Sequence, residues 1–485
     1  MNKGILAKIN LSAFFILVIA VFIYIFFKAS FVPMTHDEVT TVFSYSKYSY
    51  WEIMMYPDSV PNNHILNTLL TKLMITLFGT DEIILRLPNV LSFAFYSFGI
   101  YRILTAILTQ KSLFFIPAIL LFLMNPYLLD FFGLCRGYGM SVGLMLLSLS
   151  YLITSFNQSN SKHIWMAFVL ATLASYANFT LLIFWLTVCV LTLCFFINVQ
   201  RQKNTFSLKS FLFLGLSAIG FLALIITPIL KMNGNNEFRF WTSNGFIEET
   251  IKSTTYNALY NSRIFLTTNF ITYFILILSL IHFLILFVRF LKTKEKIKEI
   301  QKPEYVSTIV LGMVISINIF QCALMNTPNL NGRTALFYYP LFITMLISMH
   351  VHFKSIHQKW IKGLMALIIS FFGIHHLFHT ATPYQVREWN YDAHTIKVMQ
   401  KIAEHSSNQT NSIETHWLFN PSFHYYTQNN DKLNLLPYSK TINPNSKANY
   451  FYINDSLVHL LDTSFVPIKR FDDGNTLLFN TKIED

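Results

Sequence analysis

The residues of this chain whose types and order could do chemistry begin with Thr35-His36-Asp37-Glu38, where two adjacent carboxylates directly follow the first apolar segment. A carboxylate at that position can take a proton from a hydroxyl, and both water and a lipid-borne molecule can reach it. A water-facing loop explains the same pair, because charges just beyond a membrane span cost little when solvated. Further along stand Asn62-Asn63-His64, then Arg86 in Leu85-Arg86-Leu87-Pro88, Asp130, Arg136 in Arg136-Gly137-Tyr138, and Arg333 in Asn331-Gly332-Arg333. A guanidinium is costly in hydrocarbon unless it is paired or wetted, so Arg333, beside an apolar run, either reaches lipid headgroups or holds an anion. Arg136 has Asp130 six residues before it as a neutralising partner. Packing at a helix end explains His64, and anchoring of a span at the interface explains Arg86. His375, His376 and His379 put the first and last on one helix face and turn the middle one partly away, which reads as an interfacial cluster rather than a metal centre.

The elements that must position these residues are membrane helices. Hydrophobic residues make up 53% of the 485 and charged ones 12%, with 48 Phe, and the apolar residues fall in blocks of about twenty, the length that crosses a bilayer. The 36 Lys and Arg against 24 Asp and Glu lie largely in short segments between those blocks, so topology explains the basic charge and no nucleic-acid partner is expected. Cys135, Cys189, Cys194 and Cys322 show no metal-ligand spacing and no disulfide framework. Residues 11–27 read as an uncleaved first span with a cytoplasmic N-terminus. Segment 45–56 reads as an interfacial helix, and 65–78, at about fourteen residues, is too short to cross comfortably. With that segment on the outer surface, the later spans fall at about 84–107, 112–129, 138–156, 163–178, 180–198, 208–230, 264–290, 305–325, 334–350 and 361–379, about eleven in all with the first. The basic loops at 201–203, 292–302 and 354–362 then face the cytoplasm, whereas a crossing at 65–78 would put all three outside. In this arrangement Asp37, Glu38, Asp130, Arg136, the polar loop 231–263, Arg333 and the tail share the outer side.

From Pro383 the composition becomes that of a soluble domain. A helical pattern at 391–403, strand-like runs at 413–418, 450–453 and 476–480, and the Asp473-Gly474 turn predict a small α+β fold. The expected organisation is a mainly α, polytopic domain at 1–380, including a first outer loop at 31–83, followed by an extracytoplasmic α+β domain at 381–485. The bias towards Phe, Ile, Asn and Lys suggests an AT-rich bacterium, hence the cytoplasmic (inner) membrane with the outer side periplasmic.

The order of these short motifs resembles the GT-C class of integral membrane glycosyltransferases, in the branch of protein O-mannosyltransferases and lipid A aminoarabinose transferases. The matching positions are the acidic pair after the first span, Arg86-Leu87-Pro88, Arg136-Gly137-Tyr138, Asn331-Gly332-Arg333 and Tyr339-Pro340, over about residues 1–350. The resemblance implies transfer of a sugar from a polyprenyl-phosphate donor to a lipid, glycan or protein acceptor at the outer face. It implies Asp37 as general base with Glu38 as second choice, and Arg333 and Arg136 at the donor phosphate, where a planar fork suits the anion. His64 has an acceptor-side or structural role; Ile65 stands where relatives carry Pro. Some members hold a divalent cation and many need no metal, so a site at Asp37 and Asp130 and a metal-free mechanism both stay open. A transporter or flippase of lipid-linked substrates is the competing class, but its charges would line a path through the membrane and its halves would repeat. Here the ionisable candidates cluster at one face.

Overall fold

The computed structural model of the chain describes residues 3–203, 208–234, 244–260, 267–352, 357–405, 410–428, 430–437, 441–444 and 446–483. Parts of two expected features, residues 235–243 and 261–263 of the polar outer loop and 354–356 of a basic loop, lie outside them. Two compact units form: Met1–Phe26 with Tyr48–Ala381, and Phe27–Lys47 with Thr382–Asp485. In chain order the helices are α1 (Lys3–Phe31), α2 (His36–Thr40), α3 (Tyr50–Met54), α4 (Ile65–Phe78), α5 (Glu82–Ile107), α6 (Phe115–Leu123) and α7 (Pro126–Asp130). Next come α8 (Gly137–Gln158), α9 (Ser161–Ala177), α10 (Leu182–Lys203), α11 (Leu208–Gly234), α12 (Ser253–Leu259), α13 (Thr268–Lys292) and α14 (Lys296–Ile300). The rest are α15 (Pro303–Met325), α16 (Tyr338–Ser348), α17 (His357–Thr380), α18 (Thr395–His405) and α19 (Asn420–Thr427).

Among the described residues, eight helical stretches are long and apolar enough to cross a bilayer: those of α1, α5, α8, α10, α11, α13, α15 and the α16 region. Apolar side chains such as Phe15, Leu216, Phe320 and Leu324 stand mostly exposed on them. In water such a surface would aggregate, whereas in lipid it is the solvated face, and the chain is an integral membrane protein. Three expected spans fall outside this set. Helix α9 has 17 residues, and the described apolar part of α17 is Ala366–Thr380. The run expected to span 112–129 is broken: α6 stops after nine residues. Proline disfavours a helical residue before it, and Asn125 ahead of Pro126 instead caps α7, accepting from the Leu128 amide at 3.2 Å. A helix that ends inside an apolar bundle strands its last carbonyls. The Tyr339 and Tyr96 hydroxyls donate to those of Leu121 and Phe122, at 2.5 and 2.9 Å.

Helix α8 forms the heart of this unit, with 89% of its spanning stretch buried and packed on α5 and α9. Small residues allow the approach. A Cβ on Gly99 would stand 2.9 Å from the Leu146 backbone, and one on Gly143 2.9 Å from the Ser92 carbonyl oxygen.

The second unit holds a five-stranded mixed sheet made of β1 (Asn411–Thr415), β2 (Leu433–Leu435), β3 (Tyr450–Asn454), β4 (Phe465–Arg470) and β5 (Asn475–Asn480). Their order is β2-β1-β3-β5-β4, parallel across the first three and antiparallel across the last three. Central strand β3 is apolar on both faces. Tyr450 and Tyr452 pack with Val398 and Ile402 of α18 and Phe423 of α19, while Phe451 and Ile453 pack with Phe465 and Leu478 on the other side. Residues 27–47 belong to the same unit. The Met34 amide donates to the Tyr426 hydroxyl at 2.9 Å, the Ser422 hydroxyl donates to the Met34 carbonyl at 2.7 Å, and the buried Lys28 ammonium donates to the Thr382 carbonyl at 2.8 Å.

Candidate active site

In the second unit the acidic pair opens α2. Thr35 is the N-cap and Glu38, three residues on, completes a capping box: its Oε2 accepts from the Thr35 amide and hydroxyl, both at 3.0 Å. Glu38 is wholly buried and Asp37 half-buried, so the neighbours differ in access although their chemistry is the same. His36 fixes the loop to the tail through its amide, which donates to Asp392 Oδ2 at 2.8 Å, and through Nδ1, which donates to the Leu418 carbonyl at 2.9 Å. Asp392 is itself buried. Burial first, then the Asp37 and Glu38 charges, push its carboxyl well above the usual range, against the lowering effect of the His36 amide.

In the first unit, three of the expected residues meet around Tyr138. The His64 ring centre lies 4.5 Å from that of Tyr138, and the Arg136 and Arg333 guanidinium carbons lie 6.0 and 5.9 Å from it. The packing explains the local sequence. A Cβ on Gly137 would stand 2.2 Å from the Ala177 carbonyl oxygen and 2.8 Å from the His64 Cβ, and one on Gly139 2.4 Å from the Phe131 oxygen. Only glycine lets the start of α8 come this close, and that approach brings Arg136 and Tyr138 to His64. Arg136 is wholly buried and donates to the Asn62 carbonyl at 3.1 Å and to the Asn62 side chain. His64 Nδ1 donates to the Ala177 carbonyl at 3.2 Å. Its buried Nε2 has no hydrogen-bond partner among the described residues. Burial, then Arg136 and Arg333, hold the imidazole well below its ordinary pKa, so it is neutral with an acceptor lone pair at Nε2. Arg333 is half-buried and follows Gly332, whose φ of +50° favours glycine.

The other expected residues sit elsewhere in that unit. Arg86 is wholly buried in α5. One turn on, Asn89 donates to Asn67 at 2.6 Å, and Asn67 donates to the Cys135 carbonyl at 3.2 Å. Asp130 is buried, and its Oδ2 accepts from the Tyr260 hydroxyl at 2.8 Å. Among the described residues, no group of three or more His, Cys, Asp or Glu side chains is arranged to hold a metal ion. The His375 and His379 ring centres are 4.3 Å apart, while His376 Nε2 donates to the Ala258 carbonyl at 2.9 Å. Sequence reasoning passed over Tyr260 and the carboxyl role of Asp392. Neither carries a local pattern that would single it out.

No protein-family model and no curated protein sequence matches the chain. Among solved structures it is similar to ArnT from Cupriavidus metallidurans in the apo state, at TM-score 0.37 and 10% identity over 97% of this chain and 99% of that one. It is similar to the same protein bound to undecaprenyl phosphate, at TM-score 0.38 and 11% identity over 96% and 97%. A third is the archaeal oligosaccharyltransferase AglB from Archaeoglobus fulgidus in complex with an inhibitory peptide and a dolichol-phosphate, at TM-score 0.44 and 11% identity over 92% of this chain and 69% of that one.

Proposed function

We propose that the chain is a membrane glycosyltransferase of GT-C type that moves a sugar from a polyprenyl-phosphate donor to an acceptor hydroxyl at the outer face of a bacterial cytoplasmic membrane. The observation that carries the reading is the meeting of Arg136 and Arg333 around Tyr138, beside neutral His64, in a unit of membrane-length apolar helices. Two guanidinium groups beside one ring, each a planar fork that can bind an anion bidentately, suit the phosphate of a lipid carrier. The half-buried Asp37 takes the acceptor's proton as its oxygen attacks the anomeric carbon. The bond from that carbon to the phosphate oxygen breaks, and its electron pair leaves with the phosphate, whose added charge Arg333 and Arg136 offset. Glu38, engaged in its capping box, holds the loop. The acceptor is a lipid, a glycan or a protein.

Mass spectrometry of copurified lipids tests this reading. Asp37→Asn should lower turnover by about 10²-fold or more and retain intact lipid-linked sugar where the wild type carries the free polyprenyl phosphate. Equal turnover in both proteins would remove Asp37 as the base. Movement of an unaltered lipid across the membrane, without transfer, would favour a flippase.

A further inference from the structure

The turn that carries Arg333 is gripped from outside. Glu249 Oε2 accepts from the Asn329 amide at 2.9 Å and from its side-chain nitrogen at 3.0 Å, while Oε1 accepts from the Asn244 amide at 2.6 Å. The Thr250 hydroxyl donates to the Leu330 carbonyl at 2.7 Å, and the Gly332 amide donates to the Ser253 hydroxyl at 2.8 Å. Residues 249, 250 and 253 fall on one side of the helical stretch 247–259, so a single face holds 329, 330 and 332 in succession. The stretch is tied down at its far end as well, through Tyr260 to Asp130 and through the Ala258 carbonyl to His376. It is a bracket between the bundle and the Arg333 turn. Glycine reaches φ +50° about as readily as its other conformations, so the bracket selects this one from several that Gly332 could adopt.

We propose that Glu249, with Thr250 and Ser253, is a positioning residue that holds the 329–333 turn in the form presenting Arg333 to a prenyl phosphate. The inference rests on the reading of Arg333 as a phosphate ligand. Glu249 touches no substrate in this assignment and acts only through the turn.

The test is equilibrium binding of farnesyl phosphate to the full chain in lipid nanodiscs, with farnesol as the uncharged control. Glu249→Ala should weaken farnesyl phosphate binding by about tenfold, the scale of one lost charge-assisted hydrogen bond, and leave farnesol binding unchanged. Arg333→Ala should weaken it at least as much. Glu249→Gln, which keeps one acceptor oxygen, should recover part of the loss, an effect that general destabilisation would not produce. If Glu249→Ala does not fold, Ser253→Ala removes the Gly332 bond alone and should weaken binding in the same selective way. Normal farnesyl phosphate binding by the Glu249 and Ser253 variants, with Arg333→Ala impaired, would overturn the positioning role and leave the phosphate reading standing. Normal binding by Arg333→Ala would overturn both.

Discussion

Asp37 and Glu38 differ by one position and by one carbon, and their surroundings give them different work. Glu38 closes a capping box, with its Oε2 bound to the Thr35 amide and hydroxyl, whereas Asp37 keeps partial access. Behind them stands a third carboxyl, that of Asp392, which accepts the His36 amide and whose Oδ1 is buried without a partner among the described residues. Its ionised form is disfavoured first by burial and then by the Asp37 and Glu38 charges. A carboxyl whose pKa rises on folding leaves the folded unit binding more protons than the unfolded chain. That stabilisation is fully present below the ordinary value of 3.8 and is lost as pH rises from there through the raised one. Asp392→Asn keeps an oxygen to accept from His36 and cannot ionise. Hydrogen exchange of strands β1 and β3 between about pH 4 and about pH 8 should therefore show wild-type protection falling relative to the variant as pH rises. Parallel profiles would mean that the Asp392 carboxyl does not change its proton affinity on folding.

At the scale of elements, the packing of α8 on α5 depends on glycines whose neighbours are backbone and cannot give. The Gly99 Cβ position is 2.9 Å from the Leu146 carbon and the Leu147 nitrogen, whereas nothing lies within 4 Å of the corresponding position at Gly220 in α11. Gly99→Ala should cost about 1–3 kcal/mol by overpacking, and Gly220→Ala should be neutral or stabilising by about 0.5–1 kcal/mol from the lost chain entropy, both read by thermal unfolding in detergent. Equal effects would show that α5 and α8 are not in close contact. The same physics decides what the sequence discloses. Strands β3 and β5 are legible as apolar runs, whereas β1 forms at Asn411–Thr415, two residues ahead of the run expected at 413–418, with Ile413 its one apolar residue. Edge strand β4 is not legible: its Phe465-Val466-Pro467-Ile468-Lys469-Arg470 carries a proline at a register shift and two solvent-facing cations. Strand β2 is three residues long, too short to show a period. The break after α6 is written in Asn125-Pro126, but inside an apolar run it could be read only once Tyr96 and Tyr339 were known to serve its loose carbonyls. Likewise Arg136, His64 and Arg333 were each visible as motif residues, while the ring they share and the Glu249 bracket are set by tertiary packing, which leaves no periodic trace.

At the scale of the whole molecule, sidedness follows from charge counted along the chain. Between α13 and α15, Lys292, Lys294, Lys296, Lys298 and Lys302 lie within eleven positions. Several charges here are paired: Glu299 with Arg289 at 2.7 Å and Lys302 at 2.5 Å, Glu295 with Lys298 at 2.8 Å, and Arg289 also with Glu304 at 3.4 Å. Pairing does not weaken the topological argument, because insertion responds to Lys and Arg in short loops and little to Asp and Glu. The loop should therefore face the cytoplasm, and the sheet unit, which follows α17, the opposite side. Replacing the four cysteines, none of which forms a disulfide, gives a background in which single cysteines can report position. A cysteine at exposed Lys294 should react with a membrane-impermeant maleimide only after the membrane is opened, and one at exposed Lys469 should react in intact spheroplasts. The reverse labelling would put the sheet unit, with Asp37 and Asp392, on the cytoplasmic side. A donor presented at the outer face could not then reach Asp37, and the direction of the proposed transfer would have to be inverted.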